Sequence, residues 1–160
     1  MSEKNKTLIF KETIEEQPFD YSEVPRQFGL CAARDCPQSA TCLRQISYNF
    51  APASSPFLST LNPRKIAEMT PGKCEYYCSN KKVRYAKGFL CTTESLPVRV
   101  SPIFRYRLIG SWGFRRYYQK RKGETLLSPA EQRQVIALAK ELGLKQQEYF
   151  DAYKETYCWK

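Results

Sequence analysis

The sequence predicts a small α+β domain that is mostly helical, with one short β-hairpin and a pair of helices near its C-terminal end. Several segments carry apolar residues at helical spacing behind recognisable capping residues. Residues 73–92 are instead rich in Tyr, Val and Phe around a Ser-Asn turn, which is typical of a hairpin. The 160 residues are 42% hydrophobic and 26% charged, as expected of one folded domain rather than a disordered chain.

The first part of the chain is polar and slightly acidic, and we expect it to form an N-terminal arm. Its TLIF run at residues 7–10 predicts a short strand, and Pro18 and Pro25 then limit regular structure. A cysteine-rich half and a basic, helical half follow, and together they are predicted to form a single domain. The predicted organisation is therefore an arm (1–27) and one domain (28–160), divided into halves at 28–96 and 97–160.

Two helices are predicted in the cysteine-rich half. The first begins at Ser39, a residue type that caps helices, and continues through a run with apolar residues at helical spacing. Cys42 would lie in its first turn, where the helix dipole favours a thiolate. After a loop rich in Pro and Ser, the second helix begins at Pro63 with Asn62 as its cap.

The basic half carries the clearest helical signals. One helix is predicted from Pro102, capped by Ser101 and ending at Gly110. The strongest helix starts with the capping box of residues 128–131, where Ser, Pro and Glu occupy their preferred positions. Gly143 then ends this helix in the left-handed conformation.

A further helix is predicted at residues 145–157 because aromatic residues recur there at helical spacing. The placement of the turn between these two helices resembles that of a helix-turn-helix motif. Its second helix, however, would present Glu148, Asp151 and Glu155 outward, and a helix in the DNA major groove should be basic or rich in amides. We therefore favour a packing hairpin of two helices.

Seven cysteines and no histidine make thiolates the chain's only soft metal ligands. Cys31, Cys36 and Cys42 lie within twelve residues, at spacings wider than those of common zinc knuckles. All-sulfur ligation suits a zinc ion or an iron–sulfur cluster. Buried free thiols or disulfides are the alternatives. No fourth ligand stands beside these three.

The fourth ligand is expected from the later cysteines. Cys74 follows a Pro-Gly turn and is the first choice, with Cys78 and Cys91 as reserves. Cys158 is expected to take no part. The predicted site is thus Cys31, Cys36, Cys42 and Cys74, closed and structural, and it would join the first helix to the hairpin across the intervening loop.

A basic, aromatic segment runs from residue 97 to residue 123, with eight positive charges, six aromatic residues and no acidic residue. Lys and Arg neutralise phosphates, and aromatic rings stack on unpaired bases. The segment predicts a surface that binds nucleic acid or an acidic protein; a solvated basic surface is the alternative. The candidate residues are Arg99, Arg105, Arg107, Arg115, Arg116, Tyr117, Tyr118, Lys120, Arg121 and Lys122.

Charge and composition limit the function further. The net charge of +10 indicates a polyanionic partner, and no run of about 18 apolar residues predicts a membrane span. The first residues lack the apolar core of a signal peptide, so we expect a cytoplasmic protein. Without histidine or a recognisable catalytic motif, we expect a non-enzymatic protein. The alternatives are a redox protein with a functional iron–sulfur cluster and an enzyme that uses a reactive cysteine, such as Cys42 near Arg44.

Several stretches are distinctive in combination. They are CAARDCPQSATCLR (31–44), LNP (61–63), GKCEYYCSNKKVRYAKGF (72–89), RRYYQKRKGETLLSPAEQ (115–132) and FDAYKETYCW (150–159). Together they resemble an uncharacterised family of small cysteine-containing bacterial proteins, best represented in gut Bacteroidales. The resemblance implies no activity, cofactor or fold. It implies that Cys31, Cys36, Cys42 and Cys74 form a set, and that the basic segment and the helical pair form one unit.

Overall fold

The computed structural model describes residues 19–160, in which six α-helices accompany one two-stranded antiparallel sheet. The predicted α+β class is confirmed. The strand predicted at residues 7–10 lies outside the described residues, and the division into an arm and a domain stays a prediction. The elements are α1 (Leu43–Asn49), α2 (Pro63–Ala67), β1 (Lys82–Lys87), α3 (Leu90–Ser95), α4 (Ser101–Trp112), α5 (Phe114–Arg121), α6 (Pro129–Glu141) and β2 (Ala152–Tyr157).

The sheet joins two distant parts of the chain. Strand β1 pairs with β2 in a register that runs from Lys82 opposite Tyr157 to Lys87 opposite Ala152. The predicted hairpin within residues 73–92 is therefore wrong. Its first half closes a turn instead, because the Tyr77 N–H donates to the Cys74 carbonyl at 3.2 Å, and Ser79 then pairs with Cys42. The Tyr- and Val-rich composition predicted a strand but not its partner.

The helix predicted at residues 145–157 is also wrong, since the chain forms β2 there. Tyr149 and Phe150, which precede the strand, are 5% and 4% exposed and pack in the core. Tyr153 and Tyr157 are four residues apart, a spacing that places two side chains on one face of a helix and on one face of a strand alike. Pairing with β1 selected the strand over the helix, and Tyr and Thr both favour strands.

The helix starts are mostly as predicted. Asn62 caps α2, where its side chain accepts the Arg64 N–H at 3.0 Å, and the capping box at Ser128 and Glu131 is complete at the start of α6. Helix α4, however, continues through Gly110 to Trp112. It ends at Gly113, whose φ of 84° is a conformation that glycine adopts without strain.

Helix α1 begins later than predicted. Ser39–Thr41 form a 3₁₀ turn, and Cys42 is the N-cap residue of α1 rather than part of its first turn. The Thr41 carbonyl accepts the Asn80 N–H at 3.0 Å, so it takes no part in the helix. The Leu43 N–H donates to the Cys78 carbonyl at 2.6 Å. These cross-chain bonds fix the start of α1 against residues 78–80.

Buried side chains form two clusters. The main core, built from β1, α4, α5, α6 and the segments next to them, centres on Phe89, whose ring stacks edge-on against Phe104, Trp112 and Tyr117. The small core contains Phe28, Leu30, Leu43 and Cys78. Strand β2 connects them, because one of its tyrosines packs on each cluster. Within residues 19–160, no helix is long and apolar enough to cross a membrane.

Candidate thiolate site

The four cysteines of the predicted set line one cavity. It has a volume of about 460 Å³ and lies between residues 31–45, which lead into α1, and residues 60–77, which contain α2. Cys42 is buried and the other three are half-buried. Cys31, Cys36 and Cys42 stand on one wall, and Cys74 stands on the opposite segment. The structure thus brings together cysteines that the chain separates by a long loop.

The Cys31 thiol is within range of a charge on each of the other three cysteines. Burial raises the pKa of the Cys31 thiol, and the thiolates of Cys42, Cys36 and Cys74 would raise it further by repulsion. A hydrogen bond from the Ala33 backbone N–H acts in the opposite direction and favours the thiolate. Without a cation in the cavity, Cys31 therefore stays protonated at neutral pH.

The cavity is open rather than closed around an ion site. Among residues 19–160, no three side chains of Cys, Asp or Glu stand close enough to one another to hold a metal ion. Metal binding would require Cys74 and the three cysteines of residues 31–42 to approach each other. All seven cysteines of the chain are free thiols.

Arg44 holds the two walls of the cavity together. Its guanidinium donates to the carbonyls of Tyr76 and Gly29, both at 2.8 Å, and to the carbonyl of Lys160. The same group lies over the Phe28 ring, 4.4 Å from the centroid. Because each of its three nitrogens donates to a backbone carbonyl, Arg44 acts as a structural clamp and is poorly placed to activate a cysteine nucleophile.

The reserve cysteines lie elsewhere. Cys78 is buried in the small core, where its Sγ donates to the Cys158 carbonyl at 3.2 Å. Cys91 lies in α3; burial raises the pKa of its thiol, and the Asp151 carboxylate raises it further. Neither residue lines the cavity, so the placement favours Cys74 as the fourth member of the set.

Two glutamines, which sequence reasoning did not single out, also line the cavity. Gln45, on α1, is 7% exposed, and no group within residues 19–160 donates to its Oε1. The Oε1 of Gln38 is likewise buried without a partner. A glutamine in a polar stretch gives no sequence signal of this kind, because burial of its side chain depends on the wall that residues 60–77 provide.

The basic segment forms α4, α5 and the turns around them, and the structure divides its candidate residues by exposure. Tyr117 and Lys120, at 2% and 6% exposed, belong to the core and not to a binding surface. The Lys120 ammonium pairs with Glu131 at 3.0 Å and donates to the Leu126 carbonyl at 3.2 Å. The exposed candidates are Arg99, Arg107, Arg115, Arg116 and Lys122, and the half-buried ones are Arg105, Tyr118 and Arg121.

Two aromatic residues outside the candidate list are well exposed. Tyr106 on α4 and Phe114 at the start of α5 are 65% and 67% exposed. Phe114 also lies against the ring of Tyr118, with centroids 4.8 Å apart. Arg107 is less available to contact a binding partner than its exposure implies, since it forms an ion pair with Glu141. We define the exposed basic face as Arg99, Tyr106, Phe114, Arg115, Arg116 and Lys122.

Comparison with known proteins identifies the chain by family. It belongs to the Family of unknown function (DUF6078), whose model matches residues 12–159. The expected membership of an uncharacterised family is confirmed, whereas its bacterial origin stays a prediction. No curated protein and no solved structure matches the chain.

Proposed function

We propose that this family member is a non-enzymatic metal-binding protein in which Cys31, Cys36, Cys42 and Cys74 hold one zinc ion. The observation that supports the proposal is the shared cavity: cysteines from two separate segments line it, and the Cys31 charge interacts with the other three. Cys78 and Cys91 do not line this cavity.

The chemistry of the donors favours zinc in a closed, structural site. Four thiolates satisfy the tetrahedral preference of Zn²⁺ and leave no position for a reacting water. Zinc would also displace the thiol protons, which neutralises the repulsion that raises the Cys31 pKa. The Ala33 N–H already donates toward the Cys31 sulfur and would stabilise the bound thiolate.

The expected effect of the ion is to close the cavity. Arg44 already ties the Tyr76 carbonyl to the Gly29 carbonyl, and zinc binding would bring all four cysteine side chains closer together than they now stand. The binding free energy would then contribute to folding. The proposal includes a cytoplasmic location, where reducing conditions keep thiols such as these free.

Elemental analysis of purified, untagged protein tests this proposal. We expect colourless protein with one equivalent of zinc, together with proton release when zinc is added to chelated protein. Brown protein that contains iron and sulfide would support an iron–sulfur cluster at the same cysteines and contradict the zinc site. Rapid alkylation of all seven thiols in native protein, without effect on metal content, would contradict both.

A second function is favoured by the exposed basic face. We propose that it binds single-stranded nucleic acid. The exposed ring of Phe114 shares a shallow pocket with Arg115 and Lys122, and Arg105 lies 5.1 Å from the centroid of the exposed Tyr106 ring. The segment from residue 97 to residue 123 contains no acidic residue. Phosphate contacts by Arg and Lys with stacking on aromatic rings make up the usual means of binding single strands.

The salt dependence of oligonucleotide binding tests the second function. The double variant R115Q/R116Q is expected to bind a single-stranded oligonucleotide more weakly and to lower the slope of log affinity against log salt by about 1.4, or about 0.7 per phosphate contact. The matched control is Arg64→Gln, which removes an exposed arginine on α2 and should change neither quantity. Binding that does not weaken with salt would rule out the electrostatic model. Failure to bind any oligonucleotide would favour an acidic protein as the partner.

A further inference from the structure

One carboxylate, that of Glu124, stands at the edge of the exposed basic face. Glu124 directly follows the segment of residues 97–123, which contains no acidic residue, and its side chain is exposed. It belongs to a shallow pocket of about 340 Å³. The pocket is lined by Phe114, Arg115, Tyr118, Gln119, Lys122 and Glu124. Although two cations share this pocket, no cation within residues 19–160 forms an ion pair with the Glu124 carboxylate, which leaves it available to a ligand.

The backbone holds Glu124 beside the end of α5. The turn passes through Gly123, whose φ is 77° and where a Cβ atom would lie only 2.9 Å from Lys87 Cγ. The Glu124 N–H then donates to the Gln119 carbonyl at 2.8 Å. The chain therefore folds back on the last turn of α5, and Glu124 is fixed next to the pocket.

The ring of Phe114 gives the pocket a flat apolar platform. Phe114 is 67% exposed, and its ring packs against that of Tyr118 with centroids 4.8 Å apart. Exposed aromatic rings of this kind stack on unpaired bases, while cations such as Arg115 and Lys122 contact the phosphates on either side. A shallow pocket beside such a ring suits a flat base.

The polar groups of the pocket distinguish between the bases. An ionised carboxylate only accepts hydrogen bonds, so it matches a base edge that carries donors. Guanine alone presents two adjacent donors, N1–H and N2–H, on its Watson–Crick edge, whereas the other bases place an acceptor there that a carboxylate repels. The Gln119 amide, in the same pocket, offers a donor for the guanine O6.

We infer that this pocket binds an unpaired guanine, which stacks on Phe114 and donates its N1–H and N2–H groups to the Glu124 carboxylate. The inference rests on the proposed binding of single-stranded nucleic acid and names the base that the exposed basic face selects. A carboxylate beside phosphates lowers the affinity for every strand by repulsion, and the contact with guanine offsets this loss for one base only.

The test is an NMR titration of the full chain with short single strands, about five nucleotides long, that differ only in their central base. The flanking bases are thymines, and the central base is guanine, adenine or hypoxanthine. The guanine strand is expected to bind at least about fivefold more tightly than the adenine strand. Hypoxanthine keeps N1–H but lacks the N2 amino group, so its strand should fall between them.

The outcomes separate this inference from the function on which it rests. Equal affinities of the guanine and adenine strands would overturn the inference, whereas binding of both that weakens with added salt would still support the nucleic-acid face. Equal affinities of the guanine and hypoxanthine strands would contradict the contact through two donors. If no strand binds, both the inference and the nucleic-acid function fail.

A variant locates the discriminating group. Glu124→Gln keeps the size of the side chain but replaces one acceptor oxygen with a donor, so the preference for guanine should be lost. The adenine strand should bind this variant at least as tightly as the wild-type protein, because a negative charge beside the phosphates is gone. The matched control is Glu94→Gln, which removes an exposed carboxylate on α3 outside the pocket and should keep the preference. A guanine preference that persists in Glu124→Gln contradicts the assignment.

Discussion

Cys74→Ser is expected to abolish the stabilisation that zinc gives the wild-type protein. With free zinc at about a thousand times its dissociation constant, binding at one site stabilises the folded state by about 4 kcal/mol. In a chain of this size, that corresponds to an increase in Tm of about 8 to 16 °C. A serine hydroxyl is a poor ligand for zinc, and Cys74 is the only member of the set on its side of the cavity. The variant should therefore show little or no increase.

The control for this experiment is Cys91→Ser. Cys91 is half-buried like Cys74, but it lies in α3 beside Asp151 and does not line the cavity. Differential scanning calorimetry with and without zinc should give the wild-type increase for this variant. A full zinc response in Cys74→Ser would show that the ligand set is wrong, and a lost response in Cys91→Ser would assign the fourth position to a reserve cysteine.

The grouping of the cysteines could be predicted because it depends on residue types and on turns. Three cysteines within twelve residues, in a chain without histidine, indicate one site, and the Pro-Gly turn before Cys74 favours exposure of that residue toward a partner segment. The contacts that build the site could not be predicted. Arg44 reaches the Tyr76 carbonyl, 32 residues away, and the Lys160 carbonyl, 116 residues away. No local pattern specifies such pairs.

The secondary structure also contains features that could be predicted from the sequence and features that could not. Caps such as Ser128 and Asn62 depend on residues a few positions away, and both are found as predicted. The pairing of β1 with β2 depends on segments about 70 residues apart, so the sequence predicted a local hairpin instead. The four-residue spacing of Tyr153 and Tyr157 is compatible with either element, and only the availability of β1 as a partner selects the strand.

For the basic segment, the number of charges is a property of the sequence, whereas exposure depends on which face of each helix meets the core. Tyr117 and Lys120 are three residues apart and therefore lie on the same face of α5, which packs inward. Arg115, Arg116 and Lys122 lie on the outward face. The location of the core could be assigned only once β1, α4 and α6 were in place around Phe89.

Lys120 is a buried cation whose anionic partner, Glu131, is half-buried. Glu131→Gln is expected to lower the free energy of unfolding by about 3 kcal/mol at neutral pH, because the buried charge loses its partner. The Lys120 side chain is 8% exposed, and its ammonium lies 3.0 Å from Glu131 Oε1. The variant would leave this buried charge with the Leu126 carbonyl at 3.2 Å and no anion. Urea denaturation at pH 7 measures the loss.

The same ion pair gives the protein a defined dependence on pH. Burial raises the pKa of Glu131, but the Ser128 backbone N–H and the Lys120 ammonium more than offset it, so the pKa in the folded state is lowered. Its contribution to stability is present above the unfolded-state pKa of about 4.3 and is lost as the pH falls through the lower, folded-state pKa. Stability of Glu131→Gln should therefore fall less than that of the wild-type protein in this acidic range.

A surface ion pair provides the matched control for Glu131→Gln. Glu141 pairs with Arg107, and the two side chains are 58% and 52% exposed. Exposed pairs contribute about 0–1 kcal/mol, so Glu141→Gln should change the free energy of unfolding by less than about 1 kcal/mol. If the two variants lose equal stability, the pairing of Lys120 with Glu131 stabilises the fold no more than an exposed ion pair does. A clear difference between the two losses would show that Lys120 packs α5 against α6. Binding of a polyanion would then depend on the outward arginines of α5.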